Sequence, residues 1–128
     1  MKEKLINLLN NSYSPYSNFK VAAIVVMKDG KEFGGVNVEN ASYGATVCAE
    51  RSAILSAISN GYKKSDFQEL YVMCSGKQIS MCCMLCRQVI LEFFDKDSKI
   101  TCMNMNGTRE IHKVSELCPY PFSEEDLK

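Results

Sequence analysis

Three cysteines most constrain what this chain can fold into: Cys48 in one segment, and Cys83 and Cys86 in another. Each group stands where the apolar pattern starts a helix. Residues 47–60 place Ala49, Ala53, Ile54, Ala57 and Ile58 at helical spacing and stop at Gly61, as a buried helix does. The second group opens a helix from about Met84 to Phe94, with Val89, Ile90, Phe93 and Phe94 as its apolar face. Aligned N–H groups at a helix start favour anions, so thiols there ionise readily and bind metal. A fold that uses all three cysteines must bring two helix starts together.

The rest of the pattern supplies the frame. Residues 2–11 read as a short amphipathic helix closed by Ser14-Pro15. Residues 20–27 form a β-branched run, and Asp29-Gly30 turns it into residues 31–38 as a hairpin. A strand follows at 69–74, and strands at 99–104 and 108–114 flank Asn106-Gly107, a turn that favours an antiparallel return. Short helical turns end the chain. The order predicts an α/β fold with three layers: helices on both sides of a mixed five-stranded sheet whose last hairpin is antiparallel.

With 128 residues, 46% of them hydrophobic, and no linker or repeat, one domain over 1–128 is expected. The 15 basic and 15 acidic residues cancel, which argues against a long nucleic-acid partner. The apolar stretch from Leu5 to Leu9, broken by Asn7, is too short for a leader or a membrane span, so the expected location is the cytoplasm. Seven cysteines, an odd number, then favour metal ligation or catalysis over disulfides.

Zinc is the natural ion for three thiolates, and a three-ligand shell leaves the fourth tetrahedral position for water. Glu50 fits that arrangement only under one geometry. Residues two apart in mid-helix diverge by about 200°, so Cys48 and Glu50 can serve one centre only if it lies off the helix end. There Glu50 could pass protons between water and a leaving group. The alternative is a closed, non-catalytic zinc module in which Cys82, Cys102, Cys118 or His112 completes the shell.

The pattern Cys48-x-Glu50 followed by Cys83-x-x-Cys86 resembles the zinc deaminase signature. Around it, NVENASYGATVCAERSAI from Asn37 to Ile54 resembles the core of the small homotetrameric cytidine deaminases, and SPYSNFKVAAIVV from Ser14 to Val26 their amino-terminal block. CRQVI from Cys86 and the closing PFSEEDL are similar to their second metal helix and tail. The resemblance implies hydrolytic deamination of cytidine and 2'-deoxycytidine in pyrimidine salvage, one zinc per chain on Cys48, Cys83 and Cys86, Glu50 as proton shuttle, and a homotetramer. It further implies that Asn37 and Glu39 hold the ribose hydroxyls, that Phe19 packs near the base and that the Ala49 backbone contacts the pyrimidine. Arg51 would hydrogen-bond the thiolates. Tyr43 and Phe122 would complete the wall, with Phe122 reaching a neighbouring subunit's site. An aminonucleoside antibiotic or a base in single-stranded nucleic acid are the alternative substrates.

The match has departures. The family block Pro-Cys-Gly-x-Cys is replaced by Met81-Cys82-Cys83-Met84-Leu85-Cys86. Cys82 is then either a competing ligand or, as expected here, a buried thiol at the proline position. Met84 stands where glycine would ease the backbone, and Ala22 where the family often has glycine. Cys74, Cys102 and Cys118 read as small apolar residues, His112 as a surface or satisfied one, and Gly34-Gly35 as a bulge or a close backbone approach to substrate.

Overall fold

The computed structural model describes residues 1–128. Its elements are α1 (Lys2–Leu9), β1 (Val21–Met27), β2 (Glu32–Val36), α2 (Ala49–Ser59), β3 (Phe67–Cys74), α3 (Met84–Phe93), β4 (Phe94–Asn104), β5 (Arg109–Lys113) and α4 (Val114–Leu117), with single 3₁₀ turns at Tyr43–Ala45 and Glu124–Leu127. The strands form one sheet in the order β2-β1-β3-β4-β5. β3 and β4 are parallel, and every other pair is antiparallel, so the mixed five-stranded sheet with an antiparallel last hairpin is what forms.

Period-two alternation sorts the strands between two cores. Ala22 and Ile24 face α1 and pack with Leu5, Leu9, Met73 and Met103. Ala23 and Val25 face the other way, into a larger cluster with Ile54 of α2, Ile90 of α3 and Val114 of α4. α2 lies unusually close to the sheet, because Ala49, Ala53 and Ala57 repeat every fourth residue and are all fully buried. Gly35 of β2 completes that approach. A Cβ there would sit 2.4 Å from the Ala53 nitrogen and 2.8 Å from the Ala49 oxygen. The expectation of a bulge or a substrate contact at Gly34-Gly35 is therefore corrected: pairing with Ile24 and Ala23 runs unbroken through both glycines, and the close neighbour is the α2 backbone.

Element ends also shift. The first helix stops at Leu9 instead of residue 11. α2 starts at Ala49, because Val47 is held in a bridge to Val38. Phe94 leaves the α3 helix to pair with Phe67, and β4 runs back from there without a loop. Met84, where glycine was expected to be needed, is the first residue of α3 and is not among the residues at positive φ. The missing glycine leaves no backbone strain.

Candidate active site

Both metal-type helices begin at the same edge of the sheet, beside the carboxyl end of β3. This is where open α/β sheets place ligands. Cys48 is the N-cap of α2 and Cys83 the N-cap of α3, each with extended backbone, so their side chains lie at the helix ends, off the helical faces. The Cys83 sulfur also accepts from the Cys86 amide at 3.4 Å. The sulfurs of Cys48, Cys83 and Cys86 all lie within 4.8 Å of one another, and Cys48 and Cys83 are 3.7 Å apart. Sulfurs bound at 2.3 Å to one tetrahedral zinc would be separated by about 3.8 Å, so the donor set and its spacing fit that ion. Cys82 stays out of the cluster. Its side chain is 2% exposed and belongs to the apolar core.

The cluster is electrostatically arranged for negative charge. Arg51 Nη2 donates to the Cys48 sulfur at 3.6 Å, while its Nε is buried without a partner. Hydrogen bonds from Cys86, then Arg51 and Cys83, pull the Cys48 thiol down to about 5. Cys86, which supplies the first of these and is partly desolvated, is pushed up. The Cys48 sulfur is thus the one of the three whose surroundings most favour the thiolate. Glu50 is 5% exposed in the first turn of α2. Burial, with the Cys48 charge adding to it, pushes its carboxyl above the ordinary value, against a smaller opposite pull from its own backbone and the Cys82 thiol. A carboxyl shifted that way is suited to carrying a proton.

A cavity of about 170 Å³ opens on Cys48, Cys83 and Glu50. Phe19, Asn37 and Ala49 line it, as do Val21, Val72 and Cys74 from the facing strands and Thr46, Ser80 and Met81 from loops. A second depression of about 380 Å³ shares Thr46 with it and contains Tyr16, Ser17, Glu39 and Tyr43. Tyr16 and Tyr43 meet there edge to face at 6.3 Å.

The family model for the cytidine and deoxycytidylate deaminase zinc-binding region matches residues 1–103. The chain belongs to this family. The cytidine deaminase of Halalkalibacterium halodurans is 40% identical over 125 residues, 98% of this chain and 93% of that one. The cytidine deaminase of Mycoplasma genitalium is 37% identical over 90% of this chain and 87% of its own length. Among solved structures, the cytidine deaminase from Burkholderia pseudomallei superposes with a TM-score of 0.90 at 39% identity, covering 94% of each chain.

Within this family frame the side chains expected at the sugar are already occupied. Asn37 accepts from the Val21 amide at 2.9 Å and from the Ser12 hydroxyl, and donates to the Phe19 carbonyl at 2.8 Å, which leaves one amide proton free. Glu39 accepts from the Tyr16 and Ser17 amides at 2.9 and 3.2 Å and from the Ser17 hydroxyl. That hydroxyl is the main cause holding its carboxyl below the ordinary value. Phe122 does not meet the cavity of its own chain. It is exposed, and its carbonyl accepts from Gln88 of α3 at 2.8 Å.

Sequence reasoning missed Val21 and Val72 among the walls. Val21 and Cys74 are paired across β1 and β3, and Val72 is two residues back on the same face. The ends of two strands at the ligand edge were the available signal. The unusual cysteine- and methionine-rich composition from Met73 to Cys86 marks the stretch that holds Cys74, Ser80 and Met81 as part of the site, without saying which of its residues line the cavity.

Proposed function

We propose that this protein hydrolyses cytidine and 2'-deoxycytidine to uridine and 2'-deoxyuridine with release of ammonia. The observation that carries this reading is the buried Glu50 carboxyl beside three convergent sulfurs at the floor of a cavity with apolar walls. A zinc ion on Cys48, Cys83 and Cys86 would supply the Lewis acidity that makes water a nucleophile near neutral pH. Glu50 takes the proton of the attacking water, delivers it to the ring nitrogen N3, and returns a proton to the departing amino group. Arg51 offsets thiolate charge that would otherwise make that water less acidic. Phe19 and the Ala49 backbone lie against the flat base. The free Asn37 amide proton can donate to one ribose hydroxyl, and Glu39 can accept from another.

The charge at the site favours a nucleoside over the nucleotide that the family also includes. No lysine or arginine lines the cavity or the adjoining depression, whereas the Glu39 carboxylate does. A 5'-phosphate would meet a negative group with no counter-charge. The test is ultraviolet-monitored conversion of cytidine, deoxycytidine and deoxycytidylate, with zinc stoichiometry measured on the same sample. Turnover of both nucleosides, at least about tenfold weaker activity on the nucleotide, and one zinc per chain are expected. Zinc without nucleoside turnover would overturn the reading.

We assign a homotetramer for a physical reason. The cavity is open on the side where Glu39 and Tyr43 lie, and a neighbour's Phe122 would close it. Leu85 and Met84 are about two-thirds exposed beside the site and would be covered by the same association. Sedimentation should give a tetramer, and Phe122→Ala should raise KM more than it lowers kcat. A fully active monomer at assay concentration would end this assignment. All seven cysteines are free thiols, as a reducing compartment keeps them, and on that ground we place the enzyme in cytoplasmic pyrimidine salvage.

A further inference from the structure

The segment from Ser75 to Cys82, which joins β3 to α3, is a strap along the cavity to which it contributes Ser80 and Met81. From Gly76 to Cys82 it makes no backbone-to-backbone hydrogen bond. Three side chains hold it instead. Arg87 Nε donates to the Cys82 carbonyl at 2.8 Å, the Cys74 thiol donates to the Gln78 carbonyl at 3.2 Å, and Asn104 Nδ2 donates to the Lys77 carbonyl at 2.9 Å. The Arg87 tie fixes the end next to Cys83. A thiol is a weak donor, so among the polar ties at the middle of the strap Asn104 makes the strong one, next to the packing of Ile79 and Met81 on the core.

Asn104 is 5% exposed, at the last position of β4, opposite Cys74 in the parallel pair. Its Oδ1 accepts from the Asn106 and Thr108 amides at 3.0 and 3.1 Å. Two N–H donors on one atom identify that atom as oxygen, which leaves nitrogen facing Lys77. One buried amide therefore closes the β4–β5 turn with one end and ties down the strap with the other. We infer that Asn104 is a positioning residue for the nucleoside, acting through the strap that carries Ser80 and Met81. The inference rests on the cytidine reading. Releasing the tie leaves the sulfurs and Glu50 where they are, since these sit on α2 and α3, but substrate must then order a loose wall before it binds.

The test is Asn104→Asp, which keeps an oxygen for the two turn amides and places an acceptor against the Lys77 carbonyl. Asn104→Ser, whose hydroxyl can still accept from the turn but is too short to reach Lys77, serves if the aspartate variant folds poorly. KM for cytidine should rise about fivefold, the scale of one ordinary hydrogen bond lost at a part-buried site, with kcat within about twofold and zinc content unchanged. Amide exchange should quicken in residues 75–82 and stay at the wild-type rate in 104–109. An unchanged KM, a fall in kcat at constant KM, or unchanged exchange in the strap overturns the inference. Wild-type protein that turns over no cytidine overturns the functional reading and the nucleoside half of this inference together, while the exchange rates still decide the tie.

Discussion

Glu50→Gln is expected to lower kcat on cytidine by about 10³-fold, within the range for removal of a general acid–base group, while leaving zinc content and thermal midpoint at the parent's values. Glutamine has nearly the same shape and can keep the same buried position, so the substitution tests proton transfer and not packing. A loss of that size corresponds to about 4 kcal/mol of transition-state stabilisation. The alternative role of an acid in the first turn of a helix is to complement the helix dipole, an effect of about 0.3–1 kcal/mol on stability. It predicts a small fall in thermal midpoint and no change in turnover, so steady-state kinetics and a melting curve on one sample distinguish the two. Normal turnover by a zinc-loaded glutamine variant would remove Glu50 from the mechanism.

The same residue shows how much of the site was legible beforehand. Cys48 and Glu50, two apart, can share a centre only beyond a helix end, and the structure has Cys48 as the N-cap with the carboxyl in the first turn. The convergence of Cys83 and Cys86 on that point was legible because helix starts are marked by local spacing. The way the cavity walls meet was not. Val21, Val72 and Cys74 come together through strand pairing across the sheet, and Ser80 and Met81 through a strap with no regular hydrogen bonding. Such contacts depend on register, which no local pattern encodes.

Fold boundaries divide the same way. The first hairpin was readable because Asp29-Gly30 sets its turn, with Gly30 at φ 92°. The start of β4 was not. Phe94 continues the helical period of Val89, Ile90 and Phe93, and the following Asp-Lys-Asp-Ser-Lys has no apolar alternation. Pairing of Phe94 with Phe67, whose rings meet tilted at 5.0 Å between centroids, decides the matter in three dimensions. Cys82 in the proline position was legible as a buried thiol, but its influence on the Glu50 carboxyl was not, since that neighbour arrives from α2.

Gly35→Ala is expected to destabilise the protein by at least about 3 kcal/mol, the upper part of the range for forced overpacking, and to lower its zinc content. The added methyl would meet the Ala53 nitrogen at 2.4 Å and the Ala49 oxygen at 2.8 Å. Both are backbone atoms of α2 and cannot rotate away as a side-chain end would. Reduced freedom of the unfolded chain would favour alanine by only about 0.4–1 kcal/mol, so the collision wins. Relief requires α2 to move off the sheet, and α2 carries Cys48 at its cap and Glu50 in its first turn. Stability and metal binding should therefore fall together. Gly44→Ala is the control, because its Cβ would meet nothing within 4 Å and its φ is not positive. That variant should melt within about 1 °C of the parent, a shift well under 1 kcal/mol. If Gly35→Ala melts with Gly44→Ala and keeps its zinc, the spacing of α2 from β2 is not what places the metal ligands.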